Sequence, residues 1–309
     1  MFFLSISLNN ILDACIPHCN KYARIAAALP WRGLFAPKTR NFHMLLRSAF
    51  AGFSVLLVGL AIGLTPAPAE ADTLDSIMTA KVIKIAVPQD FAPFGSAGLD
   101  LKPQGYDIDM ANLIGKALGV KVELIPVTSA NRIPYLQTHK ADLVISSLGK
   151  NAEREKAIDF SIAYAPFFSA VYSVKGKDAG ITKLEDLAGK TVGAARGTIE
   201  EQALTASAPK DTTIKRFEDN NATISAFVSG QIDLVATGNT VAAVIAKQSP
   251  DRAPEMKFLI KDSPCYVGLN KEEPKLLAKV NEIITQLKAS GEIEKLSEKW
   301  LKQPLPPGF

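Results

Sequence analysis

The sequence predicts an α/β protein made of two similar lobes. Short β-branched apolar runs alternate with stretches of helical periodicity along most of the chain, a pattern typical of sheets covered by helices. One pattern also occurs twice, because Lys140-Ala-Asp-Leu-Val144 and Gln231-Ile-Asp-Leu-Val235 each follow a helical stretch and begin an apolar run. This internal repeat favours two lobes of related structure over coincidence, and two lobes imply a cleft between them.

The first predicted element is a leader. Met44-Leu-Leu-Arg47 carries a positive charge, an apolar run follows from Ala49 to Leu64, and Ala69-Glu-Ala71 supplies small residues before a cleavage point. This is the order of a secretory signal peptide, and the run is shorter than the roughly 20 residues that span a bilayer. We therefore expect export, with cleavage near Ala71 and a mature chain from Asp72. Met44 is itself a plausible start, so translation of residues 1–43 stays open.

Strands and helices are predicted in order after the leader. Ile108, Ala111, Ile114 and Leu118 recur at spacings of three and four, which predicts a helix with Gly119 as its C-cap. Apolar stripes at the C-terminus predict helices there, through Leu276, Leu277, Val280, Ile283, Ile284 and Leu287, and then through Ile293, Leu296 and Trp300. The predicted buried strands are Val82–Val87, Val122–Val127, Leu143–Ile145, Thr191–Ala194, Leu234–Ala236 and Phe258–Ile260.

Composition bounds the function. The chain has 309 residues, of which 47% are hydrophobic and 21% charged, as expected of a globular protein. After the leader, acidic and basic residues are equal in number, which argues against nucleic acid as a partner. Cys265 is the one cysteine after the leader, which excludes an internal disulfide. His139 is the one histidine there and no Gly-x-Ser-x-Gly occurs, so we expect no histidine-based triad, no metal site and no cofactor.

The strongest functional signal is the segment 146–161, which begins where a predicted strand ends. Ligands of open α/β sheets bind at such strand ends. Its serine hydroxyls, a glycine that lets backbone N–H groups approach, and the Arg154 guanidinium together suit a carboxylate. Spacing alone favours another interpretation, in which Glu153-Arg154-Glu155-Lys156 is the solvated face of a helix.

The chain resembles the polar amino-acid-binding family of ABC-importer solute-binding proteins, the bacterial extracellular solute-binding proteins of family 3. The match covers essentially all of residues 80–301, and it is carried by the segment 146–161 together with Pro93-Phe94, Gly105-Tyr-Asp-Ile-Asp109, Asn131-Arg-Ile-Pro134, Asp186-Leu-Ala-Gly-Lys190, Gly197-Thr198 and Lys299-Trp300. The resemblance implies the type II periplasmic binding protein fold, with two doubly wound lobes joined by two hinge segments.

The resemblance also places boundaries and partners. It puts lobe one at 72–167 plus 266–309 and lobe two at 168–265, with hinges near 166–169 and 261–265. It implies a periplasmic protein that binds a small molecule, an amino acid or related carboxylate, and that works with an ABC permease in the inner membrane. We expect a monomer and no enzymatic activity.

The resemblance assigns roles to individual residues. In members that bind amino acids, the position of Arg154 grips the ligand's α-carboxylate, which reverses the preference drawn from spacing. Ser147 and Gly149 assist it, and Thr198 contributes from the start of a helix in lobe two, where an anion is favoured. Phe91 matches an aromatic platform, although core packing explains it equally well.

The ligand itself stays open. Ser129 and Arg132 match positions that contact a side-chain carboxylate in glutamate- and aspartate-binding members, although Arg132 also suits a loop-bracing role. The aspartates that hold the ligand ammonium in many members fall at Pro88 and Gly238, which cannot pair with a cation. Either the ligand lacks an ordinary α-amino group, or its ammonium is held by a neighbouring residue, for which the candidates are Asp90, Glu200 and Asn239.

Two alternative functions remain. One is a periplasmic enzyme on the same scaffold, resembling cyclohexadienyl or arogenate dehydratases, in which a cleft acid such as Glu200 would be catalytic. The other is a ligand sensor whose closed form signals to a membrane receptor.

Overall fold

The computed structural model describes residues 72–309, and the expected leader lies outside the described residues. The strands are β1 Val82–Pro88, β2 Asp90–Phe91, β3 Gly95–Ala97, β4 Pro103–Gln104, β5 Lys121–Val127, β6 Leu143–Leu148, β7 Asp159–Ala165, β8 Phe168–Val174, β9 Thr191–Ala195, β10 Thr213–Phe217, β11 Leu234–Gly238, β12 Pro254–Asp262 and β13 Cys265–Leu269. The helices are α1 Thr73–Ala80, α2 Tyr106–Leu118, α3 Arg132–Gln137, α4 Ala152–Ala157, α5 Ile199–Ser207, α6 Asn220–Val228, α7 Asn239–Gln248, α8 Pro274–Ala289 and α9 Glu292–Leu296.

Two five-stranded sheets carry the fold, in the orders β5-β1-β6-β13-β7 and β10-β9-β11-β8-β12. In the first, β1 runs parallel to β5 and β6, while β13 is antiparallel to its neighbours. In the second, β9 runs parallel to β10 and β11, while β8 is antiparallel to its neighbours. We call the part around the first sheet lobe one and the part around the second lobe two. The predicted α/β fold class is confirmed.

The repeated sequence pattern corresponds to equal places in the two sheets. The first copy of the Asp-Leu-Val pattern leads into β6 and the second into β11, and each of these strands is the third in its sheet order. Both are completely buried along their length. A parallel strand covered on both faces needs apolar residues throughout, which explains why these segments read as continuous apolar runs.

The predicted helices also form. α2 ends at Gly119, which adopts the left-handed conformation at φ 67° and donates its N–H to the helix carbonyls. In α8, the predicted stripe buries Leu276, Val280, Ile283 and Ile284 in the core of lobe one. Within residues 72–309, no helix combines the length and hydropathy needed to cross a bilayer.

The chain crosses between the sheets twice. It leaves lobe one at the end of β7 and enters β8 after Pro166 and Phe167, then returns from β12 to β13 through Ser263 and Pro264. The two crossovers are bonded to each other, because the Ser263 N–H donates to the Phe167 carbonyl at 3.0 Å. β13 begins at Cys265, so the buried Cys265 lies in the sheet of lobe one, one residue away from the boundary expected from sequence.

Candidate functional site

The loops at the carboxyl ends of the parallel strands converge on a narrow cavity between the lobes. In lobe one these loops follow β1, β5 and β6, and in lobe two the loop follows β9. Convergence at this edge is expected of doubly wound sheets. The cavity is lined by Phe91, Ser129, Arg132, Ser147, Gly149, Arg154, Phe167, Thr198, Ile199 and Glu200.

Arg154 points into this cavity. It lies in α4, whose first turn is capped by the Asn151 side chain accepting from the Arg154 N–H at 2.8 Å, and it is only 3% exposed. Its Nη1 donates to the Gly149 carbonyl at 2.7 Å, and its Nη2 crosses to lobe two and donates to the Gly197 carbonyl at 2.9 Å. Its buried Nε–H has no acceptor among the described residues. A buried guanidinium with an unmatched donor is suited to an incoming carboxylate.

Arg132 is also buried and shares the Gly197 carbonyl with Arg154, but its other hydrogen bonds go to different groups. Its Nε donates to the Ser129 carbonyl at 3.1 Å and its Nη1 to the Ser146 carbonyl at 2.8 Å. Its Nη2 donates to the Gly197 carbonyl at 3.2 Å. These bonds tie together the loops after β5 and β6, as a loop-bracing role requires, while the guanidinium still lines the cavity.

The cavity is electrostatically suited to an anion. Burial, and then repulsion by Arg132, lowers the pKa of Arg154 to about 9, with Glu200 opposing the shift, so the group keeps its charge at neutral pH. Burial likewise lowers the pKa of Arg132, and the nearby Glu200 opposes that shift too. Two positive charges thus face one negative charge across the cavity, and an entering carboxylate would restore the balance.

Hydroxyl and backbone groups complete the polar wall. Ser147 lies near the end of β6 in a left-handed conformation, at φ 41°, and lines the cavity. Thr198 caps α5, because its Oγ1 accepts from the Glu201 N–H at 3.2 Å and donates to the Ala195 carbonyl at 2.9 Å. Its hydroxyl hydrogen is therefore already used within lobe two. At Gly149 a Cβ would lie 2.5 Å from the Ser263 hydroxyl, so only glycine lets the chain come this close to the crossover.

The apolar wall is aromatic. The rings of Phe91 and Phe167 lie 6.1 Å apart, and both pack against Phe94 in the core of lobe one. Phe91 therefore takes part in the core and in the cavity wall together. Phe167 was not predicted as a site residue, although it lies in the segment expected to be a hinge.

The structure places two of the predicted residues outside the cavity wall. Asp90 is buried and its Oδ2 accepts from the Asn220 backbone N–H at 2.7 Å and from Nδ2 at 3.0 Å, at the start of α6 in lobe two. The Asn239 side chain accepts from the Phe168 N–H at 3.3 Å, next to the first crossover. Asp90 and Asn239 therefore bond to lobe two and to the crossover rather than facing the cavity.

The sequence analysis did not identify Asp107, whose carboxylate holds the backbone of the cavity residue Ser147. This carboxylate is fully buried at the start of α2, and it accepts from the Ser147 N–H and from the Tyr164 hydroxyl, each at 2.6 Å. Burial raises its pKa to about 7. Asp107 fixes the backbone of Ser147, and through it the turn on which the polar wall depends. Periodicity could have found it, because Asp107 precedes the buried Met110 and Ala111 by three and four residues.

Further contacts join the lobes around the cavity. The Asn151 Nδ2 donates to the Gln202 Oε1 at 2.9 Å, which adds to the bonds between the lobes made by Asp90, Arg132 and Arg154. Gly197 in lobe two lies directly against lobe one, since a Cβ placed on it would be 2.6 Å from the Ala130 Cα. The two lobes are therefore in contact across the cleft.

Comparison with known proteins gives a consistent result. Residues 83–303 match the model of the bacterial extracellular solute-binding proteins, family 3. The chain is 30% identical over 272 residues to a glutamate/aspartate import solute-binding protein of Salmonella typhimurium, covering 82% of this chain and 89% of that protein. It is 26% identical over 255 residues to the L-cystine-binding protein TcyJ of Escherichia coli K12, covering 82% and 95%.

A solved structure shows the same architecture. The ancestral amino acid-binding protein AncCDT-1, described as a precursor of cyclohexadienyl dehydratase, superposes with a TM-score of 0.67 at 35% identity, over 74% of this chain and 99% of that chain. The fold is the type II periplasmic binding protein fold that the sequence motifs predicted. The chain belongs to the bacterial extracellular solute-binding proteins of family 3.

Proposed function

We propose that this protein is the periplasmic solute-binding component of an ABC importer and that it captures an amino acid or similar small carboxylate by closure of its two lobes. The observation that carries the proposal is Arg154, a buried guanidinium that lines the cavity, spans the two lobes and keeps an unmatched Nε–H within the described part of the chain. The ligand carboxylate would accept from Arg154 and draw the lobes together.

The energetics allow useful affinity. Micromolar binding requires a net free energy of about 8.2 kcal/mol. Each charge-assisted hydrogen bond from Arg154 contributes about 1.5 to 3 kcal/mol, and contact with Phe91 and Phe167 adds apolar burial before ordering costs are subtracted.

The donors of the cavity wall favour an acidic or amide side chain on the ligand. Arg132 contributes a second positive charge close to Arg154, and Ser129, whose carbonyl accepts from the Arg132 Nε–H, lines the same cavity. A ligand with a second carboxylate or an amide oxygen would be matched by these groups. The glutamate/aspartate import protein of Salmonella typhimurium is a relative with this kind of ligand.

Calorimetry tests the proposal. The purified protein is titrated with the amino acids, cystine and small organic acids, and at least one should bind with micromolar or tighter affinity. Arg154→Ala should weaken that binding by at least about 100-fold, because it removes two charge-assisted bonds of about 1.5 kcal/mol each. Arg196→Ala is the matched control, since Arg196 is half exposed and does not line the cavity. Equal affinity of Arg154→Ala and the wild type would refute the assignment.

The enzyme and the sensor are tested separately. Glu200 is a buried carboxylic acid in the cavity, which is the feature a dehydratase on this scaffold would use. Incubation with prephenate or arogenate and product analysis by mass spectrometry should show no conversion. If the protein serves import, uptake of the bound ligand by cells should require both this protein and the permease. If deleting the gene for this protein abolishes a signalling response to the ligand but leaves uptake intact, the sensor is favoured.

A further inference from the structure

We propose that Glu200, held in place by Ser169, binds the ammonium group of the ligand, and that the physiological ligand is therefore an amino acid rather than an acid without an amino group. This inference rests on the proposed function, because it specifies the ligand class of the same cavity. It assigns the cation-binding role to a position on α5 of lobe two.

The charge inventory of the cavity points to Glu200. Among the described residues that line the cavity, Glu200 is the one with an acidic side chain. It is the second residue of α5 and is 4% exposed. A buried carboxylate is stable when a cation or several hydrogen bonds compensate its charge. The remaining polar groups of the wall are guanidiniums and hydroxyls, which suit the carboxylate of a ligand better than its ammonium.

Glu200 is positioned but only partly satisfied. Its Oε1 accepts from the Ser169 hydroxyl at 2.8 Å, and Ser169 is completely buried in β8 just after the first crossover. Glu200 acts on both arginines through its charge, yet in residues 72–309 Ser169 alone donates a hydrogen bond to its side chain. The carboxylate is therefore fixed by a neutral hydroxyl and retains acceptor capacity for a ligand.

The neighbouring carboxylates are committed elsewhere. Asp90 bonds the start of α6 through Oδ2. Asp107 is enclosed by Ser147 and Tyr164. At Gly238, a position at the end of β11 close to the crossover, any added Cβ would overlap the ring of Phe167. The aromatic ring thus fills the space that a side chain at 238 would need, which leaves Glu200 as the acceptor in the wall of lobe two.

The cavity offers a ligand a positive charge from lobe one and a negative charge from lobe two. Arg154 extends from α4 of lobe one, whereas Glu200 extends from α5 of lobe two. A ligand whose carboxylate bonds Arg154 and whose ammonium bonds Glu200 would connect the two lobes through opposite charges. An acid without an ammonium would instead bring another negative charge towards Glu200, which is unfavourable.

Paired ligands test the inference. Each of the twenty L-amino acids and cystine is titrated beside its analogue in which hydrogen replaces the ammonium, for example L-glutamate beside glutarate. The wild type should bind at least one amino acid at least tenfold more tightly than its analogue. Glu200→Gln should reduce the affinity for the amino acid at least tenfold and should leave that for the analogue unchanged or higher. Ser169→Ala should change the preference in the same direction by a smaller factor.

Controls separate the possible outcomes. Glu201→Gln, on the same helix and paired with Arg216 at 2.7 Å, should leave the preference unchanged, and circular dichroism should show each variant folded. Equal binding of amino acids and analogues, or a preference that survives Glu200→Gln, would overturn the inference while leaving a carboxylate-binding protein. Binding of analogues alone would overturn it too. If the folded protein binds neither set, the proposed function fails and the inference fails with it.

Discussion

Replacing Asp107 by asparagine is expected to change how the stability of the protein depends on pH. Asp107 is completely buried beneath the cavity, and burial raises its pKa from the usual 3.8 to about 7, although the Tyr164 hydroxyl and the Ser147 N–H oppose the shift. Between these two pKa values the folded protein holds a proton that the unfolded chain releases. The stabilisation is therefore complete below about pH 4 and is lost as the pH rises through 7.

The magnitude follows from the two pKa values. Each tenfold change in proton affinity corresponds to about 1.4 kcal/mol, so the whole interval amounts to roughly 4 kcal/mol. Urea unfolding of the wild type and of Asp107→Asn, measured from pH 4 to pH 8, gives the difference in unfolding free energy at each pH. Other groups titrate in both proteins and cancel. The wild type should lose roughly 4 kcal/mol relative to the variant across this range.

Asp100→Asn exchanges an exposed carboxylate in the hairpin between β3 and β4 for an amide, and it is measured beside Asp107→Asn as the control for the substitution itself. A difference for Asp107→Asn that is flat, or that grows in favour of the wild type at higher pH, would show that the carboxylate is ionised throughout. The account of the support beneath Ser147 would then be wrong.

Three further predictions test the cleft and the core. Gly197→Ala should keep the lobes apart, because the new Cβ meets the backbone of lobe one, and small-angle scattering with saturating ligand should show a larger radius of gyration than the wild type. Gly238→Ala should destabilise the protein by about 1–3 kcal/mol through overpacking, whereas Gly180→Ala, with open space around it, should change stability by less than about 0.5 kcal/mol in the same thermal unfolding experiment. The buried Cys265 thiol, whose pKa is raised by burial, should stay unlabelled by a thiol reagent in the native protein and become labelled in urea, as peptide mass spectrometry can establish.

Much of the fold could be predicted because parallel strands buried on both faces are unmistakable. The runs that became β1, β6 and β11 are apolar along almost their whole length. In contrast, β2, β3, β4, β7, β8, β10 and β13 were not predicted. β7 alternates polar and apolar residues, and β7 and β8 follow each other with two residues between them although they belong to different sheets. No intervening helix marks such a crossover, so the alternation of strand and helix gives no signal there.

The site, like the fold, could be predicted from the sequence only in part. α4 is a solvated helix, as spacing alone suggested, because Glu153, Glu155 and Lys156 are exposed. Arg154 is the exception and turns into the cavity. Which side of a six-residue helix meets a cleft depends on the placement of the other lobe, and local spacing carries no information about that. Asp107 was missed for a related reason, since acidic residues at a helix start are usually explained by the helix dipole.

Phe167 belongs both to the first crossover and to the wall of the cavity. Rotation of the lobes about that crossover moves the ring, and a ligand in the cavity contacts the ring. The size of a ligand therefore affects the angle at which the two lobes come to rest. A molecule that pairs with every charged group but pushes against this ring would prevent complete closure of the lobes. Discrimination among chemically similar solutes could then arise from how fully the protein shuts around each of them, in addition to how strongly each is held.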